Sequence, residues 1–198
     1  MLTGYTDAEI ADMHPLEFVP DDETGRIADS IAAVVEDGEH VTVESAFETT
    51  SGERVPHEFT GAPLVAEDGT ELGLVGIGRD IRGRRERERE FEAVFNNTFQ
   101  LTGLMEPDGT LVRANDPALE FVGVPPSEVV GVHLAEAPWI TERNRDRVYD
   151  AVERARDGEF VRFEMEIDGT DGPAIIDFSL KPVTDDDGEV TLLIPEGR

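Results

Sequence analysis

Residues 53–79 and 172–198 match each other at a constant offset of 119. Phe59 falls on Phe178, Pro63 on Pro182, Asp68-Gly69 on Asp187-Gly188, Leu74 on Leu193, and Gly78-Arg79 on Gly197-Arg198. Conservative pairs such as Glu58 with Asp177 and Val75 with Ile194 fill the gaps. The same offset joins Gly4 to Gly123, Glu9 to Glu128, His14 to His133 and Glu17 to Glu136. Between these blocks the offset becomes 120, where "DGEHV" (37–41) meets "DGEFV" (157–161). A period this long means two copies of one domain, not a solenoid of short repeats. The expected division is a first copy over 1–81, a charged and then amphipathic connecting helix over 82–98, and a second copy over 91–198 that shares part of that helix. Residues 91–119 have no counterpart in the first copy.

Within the second copy, Phe91, Val94, Phe95 and Thr98 recur at i, i+3, i+4 and i+7, one face of a helix. "LTGLMEPDGTLVRA" (101–114) reads as two strands around a Pro-Asp-Gly turn. Asn115 or Asp116 caps a short helix with Pro117 in its first turn. A second short helix starts at Ser127, and a longer polar helix covers 142–156 and stops at Gly158. Three strands follow over 159–167, 174–183 and 189–194, separated by Gly- and Asp-rich turns. The order β-β-α-α-α-β-β-β predicts an α+β domain, a five-stranded antiparallel sheet with helices over one face.

This ordered set of segments resembles the PAS sensor domain. The second copy carries the resemblance in "VFNNTFQLTGLMEPDGTLVRANDPALEFVGV" (94–124) and "DDDGEVTLLIPEGR" (185–198); the first carries it in "LTGYTDAEI" (2–10) and "DGTELGLVGIGRDI" (68–81), which ends like the family's C-terminal PAC motif. The style is similar to haloarchaeal sensor kinases, transducer-like proteins and bacterio-opsin-activator-type regulators. The resemblance implies spatial strand order 2-1-5-4-3 and a pocket for a small molecule or cofactor between sheet and helices. It also implies a sensory role, relayed to an output domain that this sequence does not show. The alternative is a ligand-free dimerisation scaffold, or a remnant of a larger sensor kinase or transcription regulator. Neither reading makes the chain itself an enzyme. The first copy lacks the family's first two strands, so its last strand, "LGLVGIG" (72–78), should carry an open and uncharged edge. Either the natural protein begins upstream of Met1, or another chain or segment covers that edge.

Charge narrows the partners. There are 45 acidic residues against 17 basic ones, a net charge of −28. Such a surface repels DNA and anionic membranes, and it self-repels unless salt screens it. The pattern resembles proteins of salt-accumulating archaea. No apolar run nears the ~18 residues of a membrane span, and no secretory leader is visible, so a cytoplasmic location is expected. Six arginines lie between Arg79 and Arg89, but Asp80, Glu86, Glu88, Glu90 and Glu92 interleave with them, leaving little free positive charge for a phosphate backbone. The spacing suggests helical pairs Arg82–Glu86, Arg84–Glu88, Glu86–Arg89 and Arg87–Glu90 on an exposed connector. Residues 82–90 offer no hydrophobic seam, so Phe91, Val94 and Phe95 are the dimerisation candidates. The expected assembly is a homodimer or an intramolecular contact between the two copies.

No catalytic or metal-binding motif stands out. The absence of cysteine excludes disulfides and cysteine-linked chromophores, while noncovalent haem or flavin stays open. His14 and His133 sit at matching positions at helix starts, where a capping role outweighs that of a haem ligand. Asp185-Asp186-Asp187-Gly188 lacks the spaced ligands of a calcium loop and reads as a hairpin turn. Candidates for lining a small-molecule pocket are Phe121, Trp139, Phe163, Ile176, Phe178 and Leu193, with ordinary core packing the competing role. Asn115 is expected to act as a helix cap worth about 1 kcal/mol.

Overall fold

The computed structural model describes residues 4–198. Residues 1–3, the start of the expected first domain, lie outside the described residues. The chain forms two compact units, one running to Arg89 and one from Glu90 to Arg198.

The first unit opens with α1 (Asp7–Asp12), whose start is fixed by a reciprocal capping box. The Thr6 hydroxyl accepts from Glu9 N–H, and the Glu9 carboxylate accepts from Thr6 N–H at 2.7 Å. A 3-10 turn at Pro15–Phe18 leads to α2 (Thr24–Glu36), which buries Ile27 and Val34, two turns apart on one stripe. Strands β1 (Val41–Glu48), β2 (Arg54–Val65) and β3 (Glu71–Asp80) then form an antiparallel meander in the order β1-β2-β3. The register sets Val43 opposite Phe59 and Phe59 opposite Gly78 on the face towards α2. An aromatic file, Tyr5–Phe18–Phe47–His57–Phe59, runs through this core with successive ring centroids 5.6, 5.0, 5.6 and 5.7 Å apart. Among the described residues no strand pairs with the second side of β3.

Helix α3 (Arg82–Asn96) follows. Its arginines do not make the helical pairs that their spacing suggested. Arg84 instead contacts Glu44 and Glu58, Arg85 contacts Glu44, and Arg82 contacts Asp80. The reason lies in the sheet. Glu44 and Glu58 are directly opposite on the outer face of β1 and β2, and two like charges in that position repel unless a cation joins them. Asp80 also accepts from Arg82 N–H at 2.9 Å, satisfying a first-turn donor of the helix.

The second unit contains β4 (Leu101–Met105), β5 (Leu111–Ala114), α4 (Asp116–Val122), 3-10 turns at Pro126–Glu128 and Leu134–Glu136, α5 (Glu142–Arg156), β6 (Val161–Gly169), β7 (Gly172–Thr184) and β8 (Val190–Gly197). Its five strands lie in the order β5-β4-β8-β7-β6, all antiparallel, which is the 2-1-5-4-3 order of the α+β fold implied by the sequence. The alternation of β6 turns Val161, Met165 and Ile167 inward, and β7 adds Ile176, Phe178 and Leu180. From α5, Val148, Ala151, Val152 and Ala155 pack on to this face. Three hairpins across the two units share one turn chemistry. In Ala66–Thr70, Glu106–Thr110 and Asp185–Glu189 the first residue donates to the fifth, and the fourth is glycine with positive φ. Only a residue without Cβ takes that conformation cheaply, which explains the repeated Asp-Gly pair.

Candidate functional site

In the second unit a narrow apolar cavity of about 60 Å³ lies between the sheet and the helices. Its floor comes from β4, β7 and β8, where Leu101, Ile176, Phe178 and Gly197 converge; α4 and the segment before α5 supply Ala118, Leu119, Trp139 and Ile140. Two glycines set its shape. A Cβ on Gly103 would stand 2.7 Å from the Arg113 carbonyl, and one on Gly197 would stand 3.0 Å from Ile176 Cδ1. Larger residues there would close the floor. The rim carries few polar groups. The hydroxyl of Thr102 already donates to the Pro195 carbonyl at 3.1 Å, and Glu196 is half-buried beside it.

Trp139 is held in place by its backbone. Its carbonyl accepts from Asp168 N–H at 3.0 Å, and Ile140 bridges to Ile167 on β6. Asn144, one turn into α5, is buried and donates from Nδ2 to the Glu166 carbonyl at 2.8 Å. This clamp between α5 and β6 was not singled out in the sequence, because its partner is 22 residues away.

Of the six pocket candidates, Trp139, Ile176 and Phe178 line the cavity. Leu193 is fully buried in the core opposite Met105. Phe163 packs against Phe178 and carries the Arg147 guanidinium 3.9 Å above its ring. Phe121 faces a separate surface cleft with Phe99 and Pro173. Lining residues that sequence reasoning missed include Leu101, Ile140 and Met165; strand alternation turns Leu101 and Met165 inward, and the bridge to Ile167 places Ile140.

Asn115 is the N-cap of α4 and a good deal more. Its side chain is wholly buried and makes four hydrogen bonds. Oδ1 accepts from Ala118 N–H (3.1 Å) and Thr102 N–H (3.0 Å), while Nδ2 donates to the carbonyls of Phe95 (3.1 Å) and Gln100 (2.9 Å). It thereby ties the end of α3, the start of β4 and the start of α4 into one node.

His14 and His133 occupy the same role in both units. Each precedes a 3-10 turn and accepts, through Nδ1, a backbone N–H two residues on, from Leu16 at 3.3 Å and from Ala135 at 3.1 Å. The ring of His133 stacks on Tyr149 with centroids 4.5 Å apart, and Tyr149 donates its hydroxyl to Glu136. Neither histidine lines the cavity. Of the dimerisation candidates, Phe95 is buried at 9% exposure, while Phe91, stacked on it with the Arg113 guanidinium over both rings, is 39% exposed and Val94 is 77% exposed. Among the described residues no cluster of His, Asp and Glu is placed to hold a metal ion, and no helix is long and apolar enough to cross a membrane.

The first unit has a wider apolar groove of about 380 Å³ in the corresponding place, lined by Phe18, Ile27, Val34, Phe47, Phe59 and Leu74.

The strand order β5-β4-β8-β7-β6, with helices over one face and a small apolar cavity beneath them, defines the class of α+β fold. The family model described as the PAS fold matches residues 2–86 and again 95–195, and the chain belongs to that family. It is 34% identical over 123 residues to hybrid signal transduction histidine kinase D of Dictyostelium discoideum, covering 60% of this chain and 8% of that protein. It is 32% identical over 118 residues to sensor histidine kinase TmoS of Ectopseudomonas mendocina, covering 57% of this chain and 12% of that one. The chain therefore corresponds to only a small part of either kinase. Among solved structures, the PAS domain of an HTR-like protein from Haloarcula marismortui shares 23% identity at a TM-score of 0.46, over 59% of this chain and 98% of that domain.

Proposed function

We propose that the chain is a tandem pair of PAS units from a haloarchaeal signalling protein, working as a sensory module in the cytoplasm. The second unit binds the signal, and a change at its sheet passes along helices to an output domain encoded elsewhere. The module itself performs no chemistry and binds no nucleic acid, in keeping with the net charge of −28. The observation that carries this reading is the cavity under Trp139. Its lining is almost wholly apolar, so the matching ligand is uncharged and apolar. Its volume of about 60 Å³ is far below the ~300–1,000 Å³ of sites that take drug-sized molecules. That size favours a compact metabolite over haem or flavin, and the capping roles of His14 and His133 point the same way.

The test is to purify the chain in multimolar KCl, record its ultraviolet–visible spectrum, and analyse by mass spectrometry what denaturation releases. The expected result is a plain protein spectrum with a small apolar compound in the supernatant. Ala118→Leu, which fills the cavity, should remove that compound while the fold persists. A Soret or flavin band would overturn the assignment of ligand class. A clean supernatant, with no small apolar compound stabilising the protein on addition, would favour the second reading, a ligand-free scaffold, for which the small volume of the cavity also speaks.

A further inference from the structure

We propose that the surface cleft between the start of β4, α4 and the β6–β7 turn of the second unit is a separate ligand site, and that it takes a small organic cation, a protonated amine on an apolar body. The cleft shares only Leu101 with the lining of the cavity under Trp139, and the inference does not depend on that cavity being filled.

The cleft measures about 760 Å³, within the ~300–1,000 Å³ of sites that hold small molecules. The sequence builds it from two pinned walls. One is the segment that joins α3 to β4. Asn97 Nδ2 donates to the Ala93 carbonyl at 2.8 Å, Gln100 N–H donates to the Thr98 hydroxyl at 3.1 Å, and the Gln100 carbonyl accepts from the buried Asn115. Phe99 stands between these anchors, the most exposed large apolar side chain among the described residues. The other wall is the β6–β7 turn. The N–H and the hydroxyl of Thr170 both donate to the Phe121 carbonyl on α4, at 2.9 and 3.3 Å. Two glycines permit this approach. A Cβ on Gly169 would stand 2.7 Å from Phe121 Cζ, and one on Gly123 would collide with Thr170 Cγ2. Walls fixed in advance reduce the ordering cost of binding.

The lining selects the ligand. Phe99, Phe121, Pro117 and Pro173 supply apolar surface, Glu120 and Asp171 supply carboxylates, and no arginine, lysine or histidine lines the cleft. The ion pairs of this unit among the described residues join Glu92 to Arg113, Asp150 and Glu159 to Arg154, Asp177 to Arg162, and Glu196 to Arg198; Glu120 and Asp171 take part in none. An anion would meet two unpaired negative charges, and a neutral molecule would leave them unanswered. An ammonium group is drawn to both carboxylates and to the faces of aromatic rings. On a chain of net charge −28 carboxylates alone mark no site; here they share a walled cleft with a bare phenylalanine.

Phenethylamine, phenethyl alcohol and 3-phenylpropionate test this, because they carry one phenyl body with a positive, a neutral and a negative end. Each is titrated into the ¹⁵N-labelled chain at constant KCl. Phenethylamine should shift the amides of Phe99, Thr170 and Gly172 saturably and leave Trp139 in place. The alcohol should bind about tenfold more weakly, and the propionate more weakly still. Phe99→Ala should weaken the amine about tenfold with unchanged circular dichroism. Glu120→Gln with Asp171→Asn should erase the preference for the amine over the alcohol. No saturable shift with phenethylamine would overturn the proposal, as would equal binding of the three probes or an unchanged preference in the double variant. Tighter binding of acetyl-Phe-Lys-amide than of the free amine would overturn the small-molecule assignment, since the same ammonium would then belong to a protein.

Discussion

The two units place equivalent strands around unequal interiors. In the second, β4 and β5 flank the counterpart of β3, the core closes around aliphatic residues such as Met105, Leu180 and Leu193, and about 60 Å³ remains. In the first, the meander of β1, β2 and β3 stands without that hairpin, an aromatic file fills much of the interior, and a groove of about 380 Å³ is left. The same residue can therefore carry different weight in the two copies. Leu193 is fully buried, whereas its counterpart Leu74 is only partly so. What determines the value of a core position here is the presence of the neighbouring strand, not the identity of the residue.

The strongest way to break this comparison is to truncate the matched leucines. Leu193→Ala should destabilise the second unit by about 2–5 kcal/mol, while Leu74→Ala should cost the first unit less than about 1 kcal/mol. Denaturant unfolding followed by unit-resolved hydrogen exchange measures both, and equal losses would remove the distinction. Next is Asn115→Ala, which strands four backbone groups and should cost about 3 kcal/mol, well above an ordinary cap. Exchange should rise at Thr102 and Ala118 while the first unit stays protected; a loss near 1 kcal/mol would mean that water replaces the lost partners. A smaller effect is expected from Arg84→Ala. It frees the opposed Glu44 and Glu58 of their shared cation, and the small loss should shrink as KCl is raised.

The smallest effect concerns acid. Hydrogen bonding from Arg162 holds the Asp177 carboxyl below the usual carboxylate range. A carboxyl so lowered lends stability that is complete above its unfolded value, near ~4, and fades as pH drops through its folded value. Asp177→Asn should thus lower the second unit's stability slightly at neutral pH, leave it unchanged well below pH ~4, and so flatten the acid limb. An unaltered acid limb would show that the pair contributes nothing.

Much of the architecture was legible in the sequence because it is locally encoded. The Asp-Gly turns, the helix stop at Gly158 and the strand alternation all rest on residues within a few positions of each other, and the repeat supplied the rest. What stayed hidden joins distant positions. Arg84 was read against Glu88, four residues on, but its partners are Glu58 and Glu44, 26 and 40 residues back. Asn115 was legible as a cap through Ala118; its bonds to Phe95, Gln100 and Thr102 depend on how α3 and β4 return to it. Phe121 and Phe163 are apolar and aromatic like the true lining residue Phe178, and their character alone does not tell that one, on α4, faces a separate cleft and the other, on β6, packs against Phe178 outside the cavity.

The central strand pairing of the second unit has a consequence for the order of folding. β4 joins β8 through Leu101 and Gly197, the opposite ends of that unit's sheet in sequence, whereas each hairpin of the first unit links neighbours. Loop closure of that length is slow relative to hairpin formation. On the ribosome, the first unit can complete its meander as soon as β3 emerges. The second must hold β4 unpaired on one side until residue 197 is available, and that interval is when a wayward strand could take β8's place.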